Sequence, residues 1–223
     1  MKRLTSLLRP RALALAAGTV AAMACGTASA QTLFTGSTLG CFGASCTPTA
    51  TATLNGLTYT DSTFSVASAA NGTASIGNLP ATPNVNNLGS FSLTGALATY
   101  NTSFSLMITF TAPPGTSPNP SLFTTPLTGM VNGTASTTDN GGISIDFGST
   151  LHHFTFGSGA TAGSFDLELF GVALSGPPVN APPNAVPLTG KIENVTTVPE
   201  PETYALFLAG LGAVGLVVRR RRR

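Results

Sequence analysis

Apolar and polar residues alternate along several short stretches of this chain, and the alternation predicts β-strands. In residues 103–111, apolar side chains occupy every second position from Phe104 to Phe110. This is the period of a strand with one buried face. The stretches Ile143–Phe147 and Phe165–Leu169 repeat the pattern. We therefore expect a sheet protein whose strands each bury one side.

The alternation changes phase after Leu169, where the next apolar positions are Phe170, Val172 and Leu174. A slip of one residue turns every following side chain to the other face of a sheet. The shift predicts a β-bulge or a corner near Leu169 and Phe170, with Phe170 on the apolar face.

Turn-forming residues separate the predicted strands. Asn55-Gly56 stands between two alternating tetrads and predicts a two-residue hairpin turn. Further turn signals lie at Asn71-Gly72, Asn132-Gly133 and residues 139–142, and Pro-rich loops are predicted at 113–120 and 177–187. No helix longer than two turns is predicted between residues 31 and 197. The fold class is therefore all-β, an antiparallel β-sandwich of the jelly-roll or immunoglobulin-like kind.

Charge divides the chain into three parts. Residues 1–30 carry four basic residues and no acidic ones, and residues 199–223 carry five Arg and two Glu. Between them, Lys191 is the only basic residue against six carboxylates, which leaves −5 on residues 31–198. Proteins hold phosphate backbones mainly with Lys and Arg, so nucleic acid is excluded as a partner. The length of residues 31–197 suits one β-sandwich domain.

The N-terminal residues 1–30 have the pattern of a secretory signal peptide for the Sec translocon. A basic segment precedes an Ala-rich apolar stretch, and Ala28-Ser29-Ala30 stands before Gln31. We predict cleavage between Ala30 and Gln31. An N-terminal membrane anchor is the alternative, but the apolar stretch is shorter than the roughly 20 residues of a spanning helix. A lipoprotein site at Cys25 lacks the usual bulky aliphatic residue before it.

The C-terminal region combines a Pro-rich segment, an apolar run and a basic end. Tyr204 to Val218 is an apolar run of 15 residues, which spans about 22 Å as a helix, against about 30 Å of hydrocarbon in a bilayer. We predict a transmembrane helix over 204–218 with the body outside, because Arg side chains stay on the cytoplasmic side and can snorkel to the interface. Pro199 and Pro201 predict an extended segment before it. The membrane-stop residues are Arg219, Arg220, Arg221, Arg222 and Arg223.

Residues 198–223 resemble the PEP-CTERM sorting signal of Gram-negative bacteria that make extracellular polysaccharide. The resemblance rests on Pro199-Glu200-Pro201, the apolar run and the terminal arginines, in that order. It implies transient inner-membrane anchoring and recognition of Pro199, Glu200 and Pro201 by an exosortase, which would release or transfer the body to the cell surface or matrix. Glu202 departs from the family pattern and leaves the scissile bond open. A permanent single-span anchor is the alternative.

The body resembles, over three short segments, the secreted β-sandwich domains called choice-of-anchor domains. The segments are Leu39–Gly43, Asn87–Leu93 and Thr109–Pro113. The resemblance implies a sandwich fold and no particular activity.

Cys41 and Cys46 are the only cysteines left once the signal peptide is removed. An even pair in an exported protein predicts a disulfide. A metal site would need further ligands, which the neighbouring sequence lacks, and a redox pair usually sits at a helix N-terminus, where this segment predicts no helix.

Other candidate groups give no recognisable catalytic constellation. His152 and His153 are adjacent, so in a strand their imidazoles would face opposite ways. Asp166 and Glu168 would share a strand face, and Asp146 could oppose them across a sheet. That arrangement would be a solvated acidic face, a Ca²⁺ site or an acid and base pair for glycoside hydrolysis.

We therefore expect an exported protein that is not an enzyme and uses no cofactor or metal. Its role would be structural or adhesive, with extracellular polysaccharide as a partner. The alternatives are a polysaccharide-acting enzyme that uses the three carboxylates, and a carbohydrate- or Ca²⁺-binding module. The binding module would need clustered acids or a groove lined by Tyr59 or Tyr100, the only tyrosines of residues 31–197.

Overall fold

The computed structural model describes residues 31–77, 86–94, 97–132, 141–177, 185–197 and 201–221. These residues form fourteen β-strands and one α-helix. The elements are β1 Leu33–Phe42, β2 Thr51–Leu54, β3 Leu57–Thr60, β4 Thr63–Ala67, β5 Ala74–Ile76, β6 Ser90–Leu93, β7 Ala98–Ala112, β8 Ser121–Val131, β9 Gly141–Ile145, β10 Leu151–Phe156, β11 Gly163–Leu169, β12 Val172–Ser175, β13 Ala185–Pro187, β14 Gly190–Thr197 and α1 Pro201–Arg221. A short 3₁₀ turn, Gly159–Thr161, precedes β11.

The strands form three antiparallel sheets. The large sheet has six strands in the order β12-β9-β8-β7-β1-β4. Two smaller sheets have four strands each, in the orders β10-β11-β14-β5 and β13-β6-β3-β2. The predicted all-β class is confirmed.

Aromatic contacts show how the sheets stack. Phe34 of β1 and Phe110 of β7 contact Phe165 of β11 at ring distances of 4.9 and 5.2 Å. Phe104, also on β7, contacts Phe91 of β6 at 4.9 Å. The centre of the large sheet therefore packs on both smaller sheets, and all three contribute to one hydrophobic core. The molecule is a sandwich with one undivided layer and one layer made of two sheets.

Local patterns place two of the predicted features correctly. β7 contains the predicted strand 103–111, and its apolar side chains from Phe104 to Phe110 are buried at every second position. Asn55 and Gly56 connect β2 and β3 with φ angles of 48° and 87°. Positive φ at both positions is what a two-residue type I′ hairpin turn requires.

The predicted corner after Leu169 is present. β11 ends there in a four-stranded sheet, and β12 begins at Val172 in the six-stranded sheet. Leu169 and Val172 are both buried, because the chain crosses from one layer to the other. Phe170 is 40% exposed, so its assignment to the apolar face is wrong: it lies in the connection and not in either strand.

The C-terminal helix α1 has 21 residues, or about 32 Å at 1.5 Å per residue. It begins at Pro201, so the expectation of extended chain through Glu202 is wrong. Proline is tolerated at the first helical position, where its missing N–H has no helical partner. Among the described residues no helix meets the combined length and hydropathy of a membrane span.

Several predicted features lie outside the described residues. These are the signal peptide 1–30 with Ala28 and Ala30, and the sorting residues Pro199 and Glu200. Arg222, Arg223, Gly133 and parts of the segments 139–142 and 177–187 are also outside them. The division into 1–30, 31–197 and 198–223 stays a prediction.

Candidate functional site

The middle of helix α1 carries apolar side chains that are exposed. Every described side chain from Phe207 to Arg221 is exposed, including Phe207 at 61% and Leu216 at 67%. A helix with apolar residues around its whole circumference is stable where its surroundings are apolar. The described part of the chain supplies no such surroundings to these side chains.

Arginines occupy the last turn of α1. Arg219, Arg220 and Arg221 are helical and exposed. Cations there are favoured by the partial negative charge of the free carbonyl groups at a helix C-terminus. The helix thus extends past the predicted apolar run 204–218 at both ends, and its basic end is part of the helix itself.

The comparison with known protein families bears directly on this end of the chain. A family model described as the PEP-CTERM protein-sorting motif matches residues 197–223. The chain ends in a PEP-CTERM sorting motif. The motif identifies an exported, cell-surface-directed protein that is processed by exosortase. No curated protein and no solved structure matches the chain.

The β-sandwich places its charged strand residues in one sheet. Within the described strands, every Asp, Glu, Lys and His lies on β10, β11 or β14. The six strands of the large sheet carry none of these residues, and neither do the strands of β13-β6-β3-β2. The outside of the sandwich therefore has one charged sheet and one large uncharged sheet.

A hydrogen-bonded cluster lies on the outer face of the charged sheet. The Nδ1 atom of His153 lies 2.7 Å from Oδ1 of Asp166, and Nδ2 of Asn194 donates to Oδ2 of Asp166 at 2.8 Å. The bonds from Asn194 and His153 lower the pKa of Asp166. Lys191 forms an ion pair with Glu193, which raises the pKa of the lysine. This sheet carries four of the seven charged residues of positions 31–198.

The two adjacent histidines face opposite ways, as predicted. His153 points outward to Asp166, while the ring of His152 lies edge-on to Phe123 of β8 at 4.7 Å. Asn194, the third member of the cluster, is not among the predicted site residues. Asn194 has a φ of 52° within β14, a conformation that asparagine tolerates better than most residues. Nothing in the local alternation signals it.

The candidate carboxylates do not converge. Asp166 and Glu168 share the outer face of β11, as predicted. Asp146 follows β9 of the large sheet, and its Oδ1 accepts a hydrogen bond from Gly148 N at 2.8 Å. The expectation that Asp146 opposes the other two across a sheet is wrong, because β9 and β11 belong to different sheets. The described residues contain no group of three His, Cys, Asp or Glu that could hold a metal ion.

Both candidate tyrosines are core residues. Tyr59 is fully buried and Tyr100 is 2% exposed. Tyr59 Oη donates to the Leu88 carbonyl at 3.0 Å and is hydrogen-bonded to the Thr38 hydroxyl, Oγ1, at 2.9 Å, and Tyr100 Oη donates to the Asn55 carbonyl at 2.6 Å. Burial raises the pKa of both phenols. A carbohydrate groove lined by these rings is therefore wrong: the alternation that placed them in strands also placed them inside.

Cys41 and Cys46 form a disulfide with a Cα–Cα distance of 5.8 Å. Cys41 is buried near the end of β1, and the chain turns back through Gly43, whose N–H donates to the Ser103 carbonyl of β7 at 2.8 Å. The disulfide closes this turn at the edge of the core.

Proposed function

We propose that this exported protein is a structural or adhesive component of an extracellular polysaccharide matrix and has no enzymatic activity. The observation that carries the proposal is the PEP-CTERM motif at residues 197–223. It follows a low-charge β-sandwich in which Asp146 follows a strand of the large sheet, whereas Asp166 and Glu168 lie on a different sheet. In this proposal the tail is a delivery signal and the sandwich is the working part.

The chain would first pass through the Sec translocon, and the signal peptide would then be cleaved between Ala30 and Gln31. The helix α1 would then hold the chain transiently in the inner membrane. Its 21 residues reach about 32 Å, and the arginine stems would extend the shorter apolar run to the cytoplasmic interface. Exosortase would cut near Pro201, leaving the sandwich free for the cell surface or matrix.

The uncharged large sheet supports the proposed contact with polysaccharide. Its outer face presents hydroxyl groups, including those of Thr35 and Thr111, whose Oγ1 atoms lie 2.7 Å apart, and that of the exposed Thr124, which bonds to the buried Ser105 at 2.9 Å. Hydroxyls both donate and accept hydrogen bonds, as sugar hydroxyls do. No charged side chain on these strands would have to be desolvated by a neutral polymer.

The sorting step is tested by pulse-chase labelling of a chain tagged on both sides of Pro201. We expect the wild-type chain to lose its C-terminal tag in cells with exosortase and to keep it in cells without the enzyme. Replacement of Pro199, Glu200 and Pro201 by Ala should preserve the tagged full-length form, whereas Pro187→Ala should not. A full-length membrane form that persists in exosortase-containing cells would show that α1 is a permanent anchor.

The adhesive role is tested separately with the secreted protein and isolated matrix polysaccharide. We expect co-sedimentation to fall when a charge is placed on the large sheet by Thr128→Lys, and to be unchanged by Thr196→Lys on the charged sheet. Deletion of the protein should weaken biofilm or floc cohesion. An unchanged matrix, or hydrolysis of the polysaccharide by the purified protein, would contradict the proposal.

A further inference from the structure

The edges of the three sheets are covered unequally. Contacts within the sandwich bring β4 next to β5 and β12 next to β13, and a Gly40–Thr49 bridge joins β1 to the chain just before β2. The edge strand β10 differs from these. In the described part of the chain, the strand that pairs with β10 is β11, and this pairing uses one of the two edges of β10. At six residues it is also longer than the other edge strands of these sheets.

Two of the three residues on the outer edge of β10 are open. The N–H and C=O groups of Thr155 point away from β11 and bond to Ser117, at 3.0 and 2.8 Å. Backbone groups alternate in direction along a strand, so those of His153 and Leu151 point to the same side. No residue in the described part of the chain pairs with them there. Natural edge strands are usually protected by a lysine, a proline or a bulge. The edge of β10 has none of these.

A groove of about 380 Å³ lies beside the open edge. Phe123 and Phe154 contribute to it, as do Pro118, Pro120 and His152. Its rim carries exposed apolar side chains, Leu122 at 60% and Leu151 at 46%. The groove leaves room for a further strand to approach β10 and for one of its side chains to enter.

We propose that a second copy of this chain pairs with the open edge of β10, strand to strand and antiparallel, about a two-fold axis at His152. The open segment has two outward-pointing residues, Leu151 and His153. In this pairing each Leu151 stands opposite the other copy's His153, so the outward groups of both copies are used. A strand from another protein that paired with β10 would still have one unpaired edge of its own. In an isologous pair the β10 strands of the two copies cover each other, so neither open edge remains.

The side chains of the segment fit this pairing. Across the junction Leu151 meets an imidazole that is already held by Asp166, so no carboxylate faces a carboxylate. The backbone groups of His152 point inward to β11, which makes His152 and its copy a non-hydrogen-bonded pair. Such pairs have Cα atoms about 4.5 Å apart. Both rings would lie over the groove side of the sheet.

This register is tested by cysteine cross-linking of the full chain in the producing cells. At about 4.5 Å, residue 152 of two copies is within the range for a disulfide. His152→Cys should therefore give a covalent dimer on non-reducing gels. His153→Cys is the matched control: the two copies of residue 153 are offset by two positions, about 8 Å apart and beyond disulfide reach.

A second variant tests the hydrogen bonds of the edge. Leu151→Pro removes an N–H that points away from β11, so the chain should keep its melting temperature. In the His152→Cys background it should lower the dimer fraction about tenfold, through loss of the two intermolecular bonds donated by the two Leu151 N–H groups. Equal dimer from His152→Cys and His153→Cys would overturn the proposal. So would a dimer unaffected by Leu151→Pro, or a mixed disulfide with another protein as the main product.

Discussion

Tyr59→Phe tests whether one buried hydroxyl connects the two layers of the sandwich. Tyr59 Oη bonds Thr38 of β1 at 2.9 Å and the Leu88 carbonyl, which precedes β6, at 3.0 Å. The aromatic ring packs on Phe91 and Phe104 at 5.3 and 5.1 Å, and Phe would keep these contacts. The substitution therefore removes the hydroxyl with little change in packing.

The expected loss is about 1–3 kcal/mol in the free energy of unfolding. A net hydrogen bond contributes about 0.5–1.5 kcal/mol, and a buried acceptor left without a donor costs about 1–3 kcal/mol. Thr38 Oγ1 keeps its bond from Ser62 N at 3.1 Å, so the Leu88 carbonyl is the acceptor most affected. For a domain of this size each kcal/mol lowers the melting temperature by about 2–4 °C.

The same phenol makes stability sensitive to alkaline pH. Burial raises the pKa of Tyr59 above its ordinary value, so above about pH 10 the unfolded chain releases this proton while the folded chain keeps it. The free energy of unfolding therefore falls as pH rises, by up to about 1.4 kcal/mol per pH unit from this group. Below the ordinary pKa the phenol is protonated in both states, so its contribution to stability does not change with pH.

The assay is urea unfolding of the secreted protein between pH 7 and 12. Tyr59→Phe should be less stable than wild type at pH 7 and should lose stability less steeply above pH 10. Tyr100→Phe is the control for the loss at pH 7, since its hydroxyl bonds one carbonyl at the Asn55 hairpin. It is not a control for the alkaline slope, because burial also raises the pKa of Tyr100. Wild-type stability at pH 7 in Tyr59→Phe, or an unchanged alkaline slope, would refute the reasoning.

Three further outcomes follow from the described contacts. Reduction of the Cys41–Cys46 disulfide, which closes a loop with a sequence separation of 5, should cost about 2 kcal/mol, measured by melting the oxidised and reduced protein and by a mass gain of two hydrogens. Because bonds from Asn194 and His153 lower the pKa of Asp166, its stabilisation should be complete above the ordinary pKa of about 4 and should be lost as pH falls below it. Asp166→Asn should flatten that acid dependence, with less than about 1 kcal/mol at stake for so exposed a group. Gly89→Ala should prevent normal folding, because its Cβ would lie 2.4 Å from Tyr59 Oη at a φ of +104°, and circular dichroism would show the loss.

Local sequence patterns determined the strands, and topology determined the site. Alternation placed Phe104 to Phe110 on one buried face, and the Asn55-Gly56 pair specified its hairpin, because both depend on residues close in sequence. The position of Asp146 relative to Asp166 depends on which sheet each strand joins, and the connection between β9 and β10 takes the chain from one sheet to the other. The participation of Asn194 depends on a positive φ within β14. Neither long-range pairing nor a single backbone angle is encoded in the period of apolar residues.

The charge of the body restricts the kind of polysaccharide it can hold. Lys191 is the only basic residue between positions 31 and 198, and it already forms an ion pair with Glu193. An acidic polysaccharide would therefore meet a body of net charge −5 with no unpaired lysine or arginine to neutralise it. The large uncharged sheet imposes no such repulsion on a neutral polymer. The proposed matrix partner is therefore a neutral polysaccharide, bound through hydroxyl groups and not through charge.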